Sequence, residues 1–389
     1  MTTMTIAREE RPLPSRHEAI AQLYRSKVEV FVDFAFRELH PGRKLTWHWY
    51  IDVIADRVDA VLKGKCKRLV INAPPRTLKT LIATLVLIAM YVGRNPEKQV
   101  MLITGHPPLT SDLMKRLRRL MGSERYRSIF PNLQLRFAGT TIQTSHGGGL
   151  RSATVGQQLS GHGADLVVVD DPLSASHAKD VKACKEVNEW FEAEVLQRLN
   201  NRAEGAMVLV MQRVDGSDLA GHLQYGPHSF QYVVLPSIAT SDEKWMLSDG
   251  RCLSRRQGQV LYRDTDSPEQ QIKLWEQVGT YVYATQYLQC TAGSADGPWR
   301  FLYEPRGDDW SPENWSRRGG YCRITLHAMI LHRAFGHPLP EHANWVSHNQ
   351  FRSDEEWEAA AAVHTRRMDE LRRDPTSGEK WMKPFRERK

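Results

Sequence analysis

Five short apolar runs, Arg68–Asn72, Gln99–Thr104 and the stretches 166–169, 207–211 and 231–235, alternate with longer amphipathic segments, and this rhythm constrains the chain most. A strand buried on both faces reads as an unbroken apolar run, and parallel neighbours need a helical crossover between them. Residues 79–92, 109–121 and 178–199 have the spacing of such helices, and a further helix is predicted over 19–39. The expected class is therefore α/β, a mainly parallel sheet covered by helices. Residues 131–155 break the rhythm with alternating side chains and the triple glycine Gly147, Gly148 and Gly149, which predicts an inserted β-hairpin or meander.

With 389 residues, 41% of them hydrophobic, the chain can bury a substantial core. Lys and Arg exceed Asp and Glu by 53 to 45, and the net charge of +8 suits a polyanionic partner without the extreme bias of a histone-like protein. Cys66, Cys184, Cys252, Cys290 and Cys322 lie far apart with no zinc-ligand spacing, and read as reduced thiols. The N-terminus lacks the apolar core of a signal peptide and the apolar run 81–92 is too short to span a bilayer, so a soluble intracellular protein with no membrane partner is expected. The expected organisation is an N-terminal helical segment over 1–60, a main domain over 61–239, a linker or hinge over 240–296, and a divergent C-terminal region over 297–389. That last region is rich in Trp, Arg and Glu, with an apolar run at 321–331 and a charged helix predicted over 353–373.

The run Arg68–Asn72 leads straight into Ala73, Pro74, Pro75, Arg76, Thr77, Leu78, Lys79 and Thr80, and an apolar helix follows. Strand, loop and helix in that order can cradle phosphates on backbone N–H groups at a helix N-terminus. Lys79, read as an exposed loop lysine, would neutralise phosphate charge, and the Thr80 hydroxyl would ligate Mg²⁺. Ala73 and Leu78 stand where the usual pattern has glycine, so the bland alternative is an ordinary cationic first turn of a helix.

Four apolar residues, 166–169, end in Asp170, Asp171 and Pro172. A buried strand delivers such acids to the carboxyl edge of a parallel sheet, beside the loop after the first strand. There Asp170 would hold Mg²⁺ through water and Asp171 would polarise an attacking water. Alone, the acids fit a capped helix start equally well. The two motifs in this order on compatible elements favour a nucleotide hydrolase.

These residues resemble a known family. Pro74, Pro75 and Arg76 followed by Leu78, Lys79 and Thr80, then Gly161 to Asp165 leading into Asp170, Asp171 and Pro172, then Gln212 and Arg213 with Asp218 and Leu219, are similar to the ATPase signature of the large terminase subunit of tailed phages. The likeness extends upstream to Pro41, Gly42, Trp47 and His48 and downstream to Gln286 and Tyr287, about three quarters of the chain. It implies a P-loop NTPase of the ASCE type that uses ATP and Mg²⁺, with Lys79 and Thr80 at the phosphates, Asp170 as the metal-holding acid and Asp171 in place of the catalytic carboxylate, usually a glutamate. Gln212 matches the motif that senses the γ-phosphate. Arg76 either stabilises charge on that phosphate or anchors the loop by pairing with an acid. The implied partners are double-stranded DNA, a portal protein and a small terminase subunit, with several copies forming a ring in the cytoplasm of a bacterial host.

Trp47 and His48 resemble a segment near the adenine, though Trp47 and Trp49 are better read as core aromatics. Lys115, Arg116, Arg118 and Arg119 crowd one predicted helix and would neutralise DNA phosphates, where the ordinary reading is a solvated face. The family's C-terminal nuclease needs a strand with an embedded acid after residue 287; the apolar run 321–331 carries none, so no DNA cleavage is expected of this chain. A helicase-like ATPase and an inactive prophage remnant that binds DNA or a partner are the alternatives.

Overall fold

A computed structural model describes residues 15–290 apart from 175–179, 241, 257, 263–265 and 280–281. The expectations for 297–389, including the run 321–331 and the helix 353–373, lie outside the described residues.

The helix expected over 19–39 is two, α1 (Arg16–Ser26) and α2 (Val28–Leu39), because Lys27 between them is extended at φ −114° and ψ 113°. The break lets Phe31, Val32 and Ala35 of α2 bury fully while α1 stays largely exposed. Then follow α3 (Trp49–Leu62), β1 (Arg68–Asn72), a π-helical segment Leu81–Val86 running into α4 (Leu87–Arg94), β2 (Gln99–Thr104), α5 (Pro107–Met121) and α6 (Glu124–Ile129). Next come β3 (Leu135–Ala138), β4 (Thr141–Thr144), β5 (Gly149–Thr154), β6 (Leu166–Asp170), and α7 (Val181–Trp190) with a π-helical extension Phe191–Val195. The order ends with β7 (Ala206–Met211), α8 (Leu219–Tyr225), β8 (Gln231–Val234), β9 (Glu243–Met246), β10 (Cys252–Arg255), α9 (Pro268–Val278) and a last π-helical segment Tyr283–Tyr287.

Eight strands form one sheet in the order β3-β4-β5-β2-β6-β7-β1-β8. From β5 to β8 every pairing is parallel, while β3, β4 and β5 are joined antiparallel. The expected α/β class is the observed one, and the inserted meander is present with its third strand, β5, built into the parallel sheet. Strand alternation sends Leu166 and Val168 into a core with α2, α3, α4 and α5, and Val167 and Val169 into a second core with α7 and α8. Each such side chain contributes about 1.5–3 kcal/mol on burial. The helices α2 and α3 are part of this packing: Tyr50, Ile51 and Ile54 of α3 share the first core with the segment Leu81–Val86.

The stretch read as a linker carries the antiparallel β9–β10 hairpin, which packs on α3. Ser248 N–H donates to Asp56 Oδ1 at 2.8 Å, and Arg57 donates to the Met246 carbonyl at 3.2 Å. Arg255, fully buried, grips both oxygens of Glu243 at 2.8 and 3.0 Å, donates to the Pro236 carbonyl at 2.8 Å, and lies 5.5 Å from the Trp49 ring centre. Trp49 in turn donates to the Leu261 carbonyl at 3.1 Å. Among the described residues no helix is long and apolar enough to cross a membrane.

Candidate functional site

β1 lies between β7 and β8, and β7 separates it from β6. The loop 73–80 after β1, the acids at the end of β6 and Gln212 after β7 therefore converge at one carboxyl edge of the sheet, where ligands of open parallel sheets sit. In the loop, Arg76 and Leu78 have positive φ, 66° and 61°. Left-handed backbone costs a side-chain-bearing residue about 1–2 kcal/mol, so the loop takes a glycine conformation without glycine. Thr77, wholly buried, donates its hydroxyl to the Pro74 carbonyl at 2.8 Å and closes the turn.

Lys79 is not the exposed lysine expected: it is 5% exposed, with Nζ 3.5 Å from Gln212 Oε1. Thr80 and Thr84, one turn apart on the segment that follows, donate to the two oxygens of Asp170 at 3.2 and 2.5 Å. Asp170 is completely buried, and burial above all, then the neighbouring charge of Asp171, raises its pKa to about 7. The hydroxyls of Thr84 and Thr80 and the charge of Lys79 act in the opposite direction.

Asp171 donates its N–H to the Val210 carbonyl at 2.8 Å, then turns sharply at φ 42°. Its Oδ1 is buried and has no hydrogen-bond partner among the described residues. Buried carboxylate oxygens without partners are rare and mark places where a ligand or water completes the site. Gly105, just past β2, donates to the Asp171 carbonyl at 3.2 Å, and a Cβ there would lie 2.6 Å from that oxygen. Glycine is required for the approach.

Arg213 and Asp218, in the signature but without an assigned role, form a buried ion pair with Nε 2.9 and 3.0 Å from the two carboxylate oxygens. Asp218 also accepts from the N–H groups of Val214, Asp215 and Gly221 at 2.9, 3.2 and 2.9 Å, fixing the turn into α8. Oxygen donors from Thr80 and Asp170, with the open Oδ1 of Asp171 nearby in sequence, suit a hard cation such as Mg²⁺.

Arg76 is exposed, at the rim of the loop. Trp47 is partly exposed and donates to Asp52 at 2.9 Å, whereas His48 is buried, stacked on Tyr50 at 5.6 Å and edge-on to Tyr262 at 5.2 Å. His48 is thus packed among aromatic side chains, whereas Trp47 lies at the surface. On α5, Lys115 and Arg119 are exposed, Arg116 pairs with Asp112 at 3.9 Å, and Arg118 donates to the Gly139 carbonyl. Burial, and then the charges of Arg116, Arg43 and Arg119, hold the His40 pKa below its ordinary value, so this basic surface reaches the turn after α2.

No protein-family model matches the chain, and no curated protein matches it. Among solved structures it is similar to the HK97 bacteriophage large terminase, at 9% identity and a TM-score of 0.35 over 51% of this chain and 41% of that one. It is also similar to a mutant of the large terminase ATPase domain of Thermus phage P74-26, at 10% identity and a TM-score of 0.37 over 65% of this chain and 95% of that domain. The chain thus covers about two fifths of the HK97 protein, and both of these solved structures are of phage large terminases.

Proposed function

We propose that this chain is a Mg²⁺-dependent ATPase, the motor subunit of a machine that moves double-stranded DNA into a procapsid. The observation that carries the ATPase reading is Asp170, buried beneath the loop with its two oxygens held by Thr80 and Thr84 and with Lys79 beside it. In this reading the N–H groups of the loop and of the helix start bind the β- and γ-phosphates of ATP, and Lys79 exchanges Gln212 for phosphate oxygen. Thr80 and Asp170 would hold Mg²⁺, which when bound neutralises charge on the bridging phosphate oxygens. Asp171 orients the attacking water and takes up its proton at Oδ1. Arg76 stabilises charge on the transferred group.

Binding to DNA of any sequence asks only for phosphate contacts, and the exposed cations of α5 with Arg43 supply them. Portal and small-subunit partners, a ring of copies and a place in the bacterial cytoplasm belong to the same reading through the family likeness.

Phosphate release from ATP, measured with and without duplex DNA, tests the proposal. Turnover stimulated by DNA is expected, and Lys79→Met should lose it by about a hundredfold or more. Wild-type turnover in that variant would sink the assignment.

A further inference from the structure

Gln289 is 6% exposed and has a left-handed backbone at φ 54°, a conformation that a residue with a side chain keeps only where its surroundings fix it. The segment around it is tied to the carboxyl edge of the sheet. Tyr287 carbonyl accepts from Ser237 N–H at 2.7 Å, and Cys290 N–H donates to the Ala284 carbonyl at 2.8 Å. The Gln289 carboxamide donates through Nε2 to the Gln286 carbonyl and accepts through Oε1 from the Arg213 N–H at 3.0 Å.

That last bond falls at a critical place. The β1–β7 ladder ends at Asn72 opposite Met211, so the Arg213 N–H has no strand partner and is buried. The same peptide plane fixes ψ of Gln212, and the Arg213 side chain is locked by Asp218. Gln212 is thus held by its backbone, with its Oε1 at 3.5 Å from Lys79 Nζ, the long end of a hydrogen bond and easily exchanged.

We infer that Gln289 is a positioning residue that holds Gln212 against Lys79 and so ties the state of the phosphate loop to the segment 283–290. The inference rests on the ATPase reading above for its consequence, but the clamp itself is independent of it. When Lys79 turns to a phosphate, Gln212 loses its partner, and the reorientation passes through one peptide plane to Gln289. The coupling runs in both directions, since a shift of the segment 283–290 alters the same bond.

The test uses the full chain with Gln289→Met, which keeps size and removes the acceptor, and Gln289→Glu, which keeps it; both lose the donor to the Gln286 carbonyl, so they differ in the bond from Arg213. Without nucleotide, amide exchange at Arg213 should accelerate about tenfold or more in the methionine variant and stay near wild type in the glutamate variant. With Mg²⁺ and ATP, Gln289→Met should lower kcat about tenfold with KM within about twofold. In a Gln212→Ala background the same substitution should cost no more than about twofold further, because its effect passes through Gln212. Unchanged exchange at Arg213, or an equal loss in the Gln212→Ala background, overturns the inference. Should the methionine variant not fold, loss of Arg213 protection in Gln289→Glu overturns it instead. A wild-type protein without ATP turnover defeats the ATPase reading, and the exchange at Arg213 then judges the clamp alone.

Discussion

Thr84 and Asp170 are joined by a 2.5 Å hydrogen bond from hydroxyl to Oδ2, inside the protein and below the residue that would meet the cation. The bond favours the ionised carboxylate. A hydrogen bond to a charged group contributes about 1.5–3 kcal/mol, so Thr84→Val, nearly the same shape, should raise the Mg²⁺ concentration for half-maximal turnover about tenfold. It should also move the rising limb of the pH–rate profile upward, and a profile that does not move would separate Thr84 from the metal site.

Asp170 also predicts how stability varies with pH. Its pKa is raised to about 7 in the folded chain, from an ordinary value of 3.8, by burial and then by Asp171. Between those values the folded state binds a proton that the unfolded state has released, so stability falls as pH rises from about 4 to about 7 and is level above. The loss is on the order of 4 kcal/mol without Mg²⁺. Urea midpoints at about pH 5 and about pH 8 should differ in the wild type and differ much less in Asp170→Asn.

Arg76 joins strain to exposure, with φ 66° on a side chain that faces solvent. Arg76→Gly should therefore raise unfolding stability by up to about 1 kcal/mol while lowering ATP turnover. A gain in both stability and turnover would assign Arg76 no role at the phosphates.

Gly105→Ala places a methyl group 2.6 Å from the Asp171 carbonyl, a contact that only a shift of the Asp171 turn relieves. If Asp171 orients the water as proposed, turnover should fall about tenfold or more with nucleotide affinity nearly unchanged. Equilibrium binding of a fluorescent ADP beside steady-state kinetics checks the division.

The sheet was legible because its strands are buried on both faces: β1 and β2 match the apolar runs to the residue, and β6, β7 and β8 to within one. The acids and the loop were legible from their order along those strands. Thr84 and Gly105 were not, since a threonine in an apolar helix and a lone glycine after a strand carry no pattern until Asp170 and Asp171 stand beside them. The hairpin was hidden for another reason. Its strands are four residues each and include Glu243 and Arg255, charges that read as solvated until they are seen to neutralise one another inside the protein. Lys79 was misplaced in the same way, as a charge assumed to face water.

The bond from Trp49 to the Leu261 carbonyl joins positions 212 residues apart. As the chain leaves the ribosome, α3 emerges long before the hairpin that covers it, and the sheet must gather around a helix whose outer face is still bare. Long-range closure of this kind slows folding, because the entropy of the intervening loop is lost before the contact forms. Nascent chains stalled before residue 261 should therefore be held by chaperones, and release should follow the arrival of Arg255 beside Trp49.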